Sequence, residues 1–189
     1  MFSFDFGGFI VDGGHSLKSK SSFLPSSASQ AKPPQLLAHY DFPDDWEILL
    51  VILDSKNTVN GQKEVNIFQD YCPVPKNEVE QTSHIIFMNM IPFLLERDLP
   101  AFGHSIDEIQ KRGFKNVEVS LQSQQIRDLM DKLREIGAYG VGMSSFGPTV
   151  YSVFDKNNKH IVEEIKEYVG DMGTVLTTKA QNYGHEIQK

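Results

Sequence analysis

Cysteine is nearly absent: Cys72 stands alone in 189 residues. One thiol cannot close an intrachain disulfide. With Pro73 behind it and no Cys or His at ligand spacing, it reads as a structural residue suited to a reducing cytosol. Long apolar runs are missing too. None approaches the roughly 20 residues that span a bilayer, and the opening Met1-Phe-Ser-Phe-Asp-Phe6 has neither the basic start nor the apolar core of a signal peptide. A cytoplasmic protein is expected. Positive charge is in the minority, 18 Lys and Arg against 25 Asp and Glu, a net charge of −7. That balance argues against nucleic acid or an anionic membrane as main partner, since both call for a basic surface. It leaves room for a local basic pocket that takes a phosphorylated metabolite. No Gly-x-x-x-x-Gly-Lys-Ser/Thr phosphate loop occurs.

What is present is the composition of a globular chain, 40% hydrophobic and 23% charged, of a length for one domain or one domain and part of another. The first 45 or so residues differ from the rest. Phe2 to Val11 is aromatic and β-branched, as in a strand, and Gly13-Gly14 breaks it. Ser16 to Pro34 holds seven serines and three prolines, too little apolar material to pack by itself. It is either a linker or a loop laid over a ligand, with Lys18, Lys20 and the serine hydroxyls toward phosphate.

From Trp46 the pattern sharpens. Trp46–Leu53 is a buried-strand run. Val79 to Arg97 is long enough for a helix that Pro92 should kink. Ser105-Ile-Asp-Glu108 has the form of a capping box, opening a short helix that Gly113 ends. Ser123 caps a helix striped with Ile126, Leu129, Met130, Leu133 and Ile136. Strands follow at Tyr139–Met143 and Thr149–Phe154, then a helix from Asn157 to Gly170. A last strand runs from about Met172 to Thr178, and the polar tail to Lys189 is expected to fray. Residues 46–178 thus read as a split β-α-β-β-α-β unit. The fold class is α+β, a four-stranded antiparallel sheet with helices on one face. The division expected is residues 1–45 as one part and 46–189 as the other.

Gly142-Met-Ser-Ser-Phe-Gly-Pro-Thr149 is the strongest local feature. Gly142 and Gly147 bracket two hydroxyls between strands. Glycines permit positive φ and close approach of backbone N–H groups, while Ser144 and Ser145 can donate to phosphate or carboxylate oxygens. The same string also suits an ordinary Gly-Pro hairpin turn.

This stretch resembles the third conserved motif of the GHMP kinases, whose C-terminal domain has a ferredoxin-like fold and whose third loop lies near the phosphate end of the site. Other segments resemble one branch of that superfamily, the β-ribofuranosylaminobenzene 5′-phosphate synthases. They are Gly7-Gly-Phe-Ile-Val-Asp-Gly-Gly-His15, Ser22-Phe-Leu-Pro-Ser-Ser-Ala-Ser29, Glu64-Val-Asn-Ile-Phe-Gln69, Gln81-Thr-Ser-His84 and Met90-Ile-Pro through Phe102-Gly103. The likeness runs over nearly the whole chain. It implies a ferredoxin-like GHMP C-terminal domain over residues 46–189, preceded in 1–45 by a remnant of the N-terminal GHMP domain.

The resemblance also implies a chemistry: decarboxylating transfer of phosphoribosyl from phosphoribosyl diphosphate to 4-aminobenzoate or 4-hydroxybenzoate, in methanopterin biosynthesis, with Mg²⁺ as cofactor. Residues able to serve it are Asp12 and His15 as catalytic groups, with Asp12 also a metal ligand or a hold on the ribose hydroxyls. Gly13, Gly14, Lys18, Ser26, Ser27, Gly142, Ser144, Ser145 and Gly147 would bind phosphate. Asp12 also fits an ordinary Asp-Gly turn, Lys18 a solvated surface and His15 simple packing. Glu78, His84 and Arg97 are weaker candidates. Phe9-Ile-Val-Asp-Gly-Gly is only faintly like the diphosphate motif of ordinary phosphoribosyltransferases: it has one acid, no following Thr and no parallel-sheet surroundings.

One departure matters. The GHMP phosphate loop, Pro-x-x-x-Gly-Leu-Gly-Ser-Ser or a relative, matches no segment. The expectation is therefore a chain that begins inside the N-terminal domain and works as a homodimer or with a separate N-terminal half. Two further readings stay open. One is an ATP-dependent kinase of the same superfamily, although its usual Ser-Gly-x-Asp context is not recognisable. The other is a non-catalytic binding or assembly module.

Overall fold

The computed structural model describes residues 2–14, 34–54, 59 and 61–186. They fall into two compact units, Met1–Asp44 with Asn60–Pro73 and Ala180–Lys189, and Asp45–Val59 with Val74–Lys179.

In the first unit a short helix α1 (Phe2–Phe6) leads into strand β1 (Phe9–Asp12), which pairs antiparallel with β2 (Leu36–Tyr40). The expected single strand over Phe2–Val11 is thus half helix. Its alternating aromatics mimic a strand, but Gly7 and Gly8 both take positive φ and turn the chain after one helical turn, closed by the Gly7 N–H on the Ser3 carbonyl at 2.9 Å. Helix α2 (Gly61–Tyr71) completes the unit. The tail does not fray over its described length. The Gln181 carbonyl accepts from the Gly8 N–H and the His185 N–H donates to the Phe4 carbonyl at 2.9 Å. Asn182 grips the Phe42 backbone with both ends of its amide, at 2.8 and 2.9 Å.

The second unit is built on β3 (Trp46–Leu53), β4 (Tyr139–Met143), β5 (Thr149–Asp155) and β6 (Gly173–Thr178). They form an antiparallel sheet in the order β4-β5-β3-β6. This is the strand order of the split β-α-β-β-α-β arrangement. Leu49, Val51 and Leu53 of β3, with Val150 and Phe154 of β5, point to one face and are essentially buried. Helices α7 (Gln124–Glu135) and α8 (His160–Val169) cover that face with Ile126, Leu129, Met130, Leu133, Ile161 and Ile165. The 3.6-residue spacing of those apolar positions puts them on one stripe of each helix. Ser123 caps α7 as expected, its Oγ accepting from the Ile126 N–H at 3.4 Å.

Between β3 and β4 the chain runs through α3 (Lys76–Ile85), one π-helical turn (Ile86–Met90) and α4 (Ile91–Glu96). The expected helix is thus present, but its irregularity falls just before Pro92. A proline ring crowds the carbonyl four residues back, and a wider turn there relieves the clash. Helix α5 (Leu99–Gln110) starts earlier than Ser105 suggested. Asp98 is its cap, with Oδ1 accepting from the Ala101 N–H at 3.0 Å, whereas Ser105 lies inside the helix and donates to the Ala101 carbonyl at 3.0 Å. Gly113 does not end a helix. It opens α6 (Gly113–Ser120).

Nor are all helices on one face. α5 runs along β4, and its Phe102 ring meets Trp46 at 5.1 Å on the face away from α7 and α8, since Trp46 alternates with Leu49 and Val51.

Candidate functional site

The hairpin between β4 and β5 carries Gly142, Ser144, Ser145 and Gly147 together. The Ser144 N–H donates to the Thr149 carbonyl and the Gly147 N–H to the Ser144 carbonyl, each at 2.9 Å. Ser145 adopts φ +49° and Gly147 φ +70°. Positive φ is cheap for Gly147, but for serine it costs of order 1 kcal/mol. Both serines are exposed, and their hydroxyls make no hydrogen bond among the described residues. Gly142 has a different task. A Cβ there would lie 2.4 Å from the Tyr151 ring, so the glycine makes room for a tyrosine rather than for a ligand.

The loop is held from below by residues that sequence reasoning missed. Gln110, at the end of α5, accepts the Met143 N–H at 3.1 Å. Lys115 of α6 donates to the Met143 carbonyl at 3.2 Å and pairs with Glu118. Gln122 donates to the Phe146 carbonyl at 2.9 Å. Phe146 is buried and meets Phe114 edge-on, centroids 5.9 Å apart. A signal for Gln110 did exist. It follows Phe102 and Ile106 at four-residue steps, so the stripe puts an amide at a core position, where it needs a partner.

Burial, and then the nearby Asp107 carboxylate, push the Tyr151 phenol up to about 12. It stays neutral beneath the loop at any ordinary pH.

Asp12 closes β1 in the other unit, where its Oδ1 accepts from the Gly14 N–H at 2.9 Å. The Asp-Gly turn is therefore formed, and the second carboxylate oxygen of this exposed residue takes no hydrogen bond among the described residues. Gly13 and Gly14 lie in that turn, Gly14 with φ +61°. A cavity of about 370 Å³ beside it is lined by Asp12, Gly8, Phe9 and Phe2 among others. His15, Lys18, Ser26 and Ser27 lie outside the described residues. Among the described residues no three His, Cys, Asp or Glu side chains cluster as a metal cage, and no helix is long and apolar enough to cross a membrane.

The weaker candidates have structural duties or none. Glu78 Oε2 accepts from the Gly113 N–H at 3.1 Å, capping α6. Arg97 takes φ +58° at the end of α4 and lies 3.7 Å from Asp45. His84 is exposed.

Residues 90–173 match the family described as GHMP kinases C terminal. Three relatives are called beta-ribofuranosylphenol 5′-phosphate synthase. The protein from Methanothermobacter thermautotrophicus is 50% identical over 182 residues, covering 96% of this chain and 55% of the relative. Those from Archaeoglobus fulgidus and Methanocaldococcus jannaschii are 45% and 46% identical, over 98% of this chain and 58% and 56% of theirs. The chain thus spans somewhat over half the length of the curated relatives it matches. Among solved structures, homoserine kinase from Cytophaga hutchinsonii superimposes with a TM-score of 0.65 at 15% identity, over 95% of this chain and 50% of that one. A putative homoserine kinase from Listeria monocytogenes gives 0.60 at 17% identity, over 96% and 52%. At such identities these two speak for the fold alone.

Proposed function

Because the chain is homologous to the C-terminal portion of the β-ribofuranosylphenol 5′-phosphate synthases and carries the GHMP C-terminal domain, we propose that it is part of a synthase that transfers phosphoribosyl to a para-substituted benzoate with loss of carbon dioxide, in methanopterin biosynthesis. The observation that carries this reading is 45–50% identity along nearly the whole chain to three proteins of one name. The phenol in that name favours 4-hydroxybenzoate over 4-aminobenzoate as acceptor.

The reaction balances without any oxidant. The bond from ribose C1 to the diphosphate oxygen breaks, and pyrophosphate leaves with the electron pair. The ring carbon bearing the carboxylate attacks C1, and the bond to the carboxylate then breaks. Carbon dioxide departs and its electron pair restores the aromatic ring. Holding the two carbons in contact and neutralising the leaving group are the protein's tasks.

The exposed Ser144 and Ser145 hydroxyls supply neutral donors for phosphate oxygens, with Gly147 letting the loop turn tightly beneath them. Asp12 keeps one carboxylate oxygen for Mg²⁺. A single carboxylate suits that ion, which usually takes one or two carboxylates and completes its shell with water and phosphate oxygens. When bound, Mg²⁺ would neutralise the diphosphate. By resemblance, His15 is assigned a catalytic role and Lys18, Ser26 and Ser27 are assigned to phosphate binding. A cytoplasmic location fits the reading.

The test is release of labelled carbon dioxide from carboxyl-labelled 4-hydroxybenzoate, with phosphoribosyl diphosphate and Mg²⁺. The chain is assayed alone and with the N-terminal half of one relative supplied as a separate polypeptide. Release in either arm supports the synthase. If both arms stay silent with folded protein while ATP-dependent phosphorylation of a small alcohol proceeds, the kinase reading replaces it. Binding of the donor without turnover in any arm would leave a binding module.

A further inference from the structure

The two edges of the four-stranded sheet are treated in opposite ways. Along β4 the outward backbone groups are taken up by side chains. Gln110 accepts the Met143 N–H at 3.1 Å, Lys115 donates to the Met143 carbonyl at 3.2 Å, and Arg134 donates to the Val141 carbonyl at 3.3 Å. Along β6 nothing comparable occurs among the described residues. Gly173-Thr-Val-Leu-Thr-Thr178 has no charge and no proline, the usual guards of a free strand edge. Four of its six residues are exposed.

We propose that the outer edge of β6 is a strand-pairing interface, and that its partner is β6 of a second copy of this chain.

The register of the sheet argues for a second copy. Gly142, Tyr151, Leu50 and Leu176 sit directly opposite one another across β4, β5, β3 and β6. They share the face away from α7 and α8. Leu176 is 47% exposed there, and its neighbour Ile52 is 37% exposed. An antiparallel two-fold perpendicular to the sheet must match residues of the same face, so it passes through a residue and not between two. Placed at Leu176, it sets Leu176 against its own copy and Thr174 against Thr178. Leucine–leucine and threonine–threonine are favourable cross-strand pairs, and no like charges meet. The apolar row then continues unbroken as Leu50, Leu176, Leu176 and Leu50. The result is one eight-stranded sheet from two four-stranded ones.

This inference is independent of the catalytic reading. It is tested by sedimentation of the full chain over roughly a hundredfold concentration range. A reversible dimer is expected, and Leu176→Lys, which sets two like charges face to face, should weaken it by about tenfold or more. Unchanged circular dichroism and denaturation midpoint show that the exposed substitution leaves the fold intact. The second measurement is covalent. Directly opposed Cβ atoms lie about 4.5–5.5 Å apart, close to what a disulfide spans. Cys72→Ser/Leu176→Cys should therefore oxidise to a linked dimer while Cys72→Ser/Leu121→Cys does not. A chain that stays monomeric throughout overturns the proposal. So does a dimer that Leu176→Lys leaves intact and Leu176→Cys fails to link, or assembly that needs a different polypeptide.

Discussion

Gly103 of α5 and Gly140 of β4 meet backbone to backbone. A Cβ on Gly103 would lie 2.7 Å from the Gly140 nitrogen, and one on Gly140 would lie 3.0 Å from the Gly103 Cα. Neither neighbour is a flexible side-chain end that can swing away. Gly103→Ala should therefore push α5 off β4 and cost about 2–3 kcal/mol. Urea unfolding gives the measurement, and a midpoint equal to the parent's would show that the two elements are not packed this closely.

Gln110 is the acceptor for a buried N–H at the root of the candidate loop. Gln110→Leu removes that acceptor while keeping the volume, leaving the Met143 amide unsatisfied at about 1–3 kcal/mol. Gln110→Glu retains an acceptor oxygen and should preserve protection of that amide. Hydrogen exchange at Met143 distinguishes the two: fast exchange is expected in the leucine variant only.

Ser152 is fully buried on the core face opposite Leu49, and its Oγ has no hydrogen-bond partner among the described residues. Ser152→Ala removes a desolvated hydroxyl without opening much space. Stability should rise by about 1 kcal/mol. A clear loss on thermal unfolding would mean that a bound water or an unnoticed partner satisfies the hydroxyl.

Tyr151 titrates at about 12 in the folded chain, raised by burial and then by Asp107, against about 10 when unfolded. Below pH 10 both states keep the proton and the group has no pH effect. Between pH 10 and 12 the unfolded chain ionises first, so stability falls by something on the order of 2 kcal/mol. Tyr151→Phe should flatten that part of the alkaline limb while barely changing stability at neutral pH. An identical alkaline limb in both proteins would place the responsible group elsewhere.

Ser145 is the loop position where stability and ligand binding should part. Ser145→Gly relieves the positive φ and is expected to stabilise by up to about 1 kcal/mol. If the serine donates to phosphate as proposed, the same variant binds phosphoribosyl diphosphate more weakly. Calorimetric titration alongside unfolding separates these effects, and undiminished affinity removes Ser145 from the phosphate site.

Much of the second unit was legible in advance because its signals are periodic. The continuous apolar run of β3, the stripes of α7 and α8 and the Ser123 cap are all local, and local rules placed them within a few residues. The first turn of the chain misled because five residues of alternating aromatics carry the period of a strand, whereas the two positive-φ glycines that follow turn the chain after one helical turn. Ser105 misled for another reason. A Ser-x-x-Glu string forms a capping box only where a helix begins, and Asp98 had already begun one. In the candidate site the exposed serines and the Asp12 turn could be picked out from residue types. Gln110 left a trace as an amide on the apolar stripe of α5, but its partner did not, and Lys115 and Gln122 left none, since each of the three acts on backbone groups some 24 to 33 residues away in sequence.

Strand β3 sits between β5 and β6, partners that follow it by about a hundred residues or more. Contacts of such sequence separation are slow to form, because a long loop must close before any of them is gained. During synthesis β3 therefore leaves the ribosome well ahead of both neighbours, and its apolar run waits without a sheet to join. The β4–β5 hairpin can form from local sequence and offers the first surface to receive it. Only when residues 173–178 have emerged does β3 gain its second neighbour.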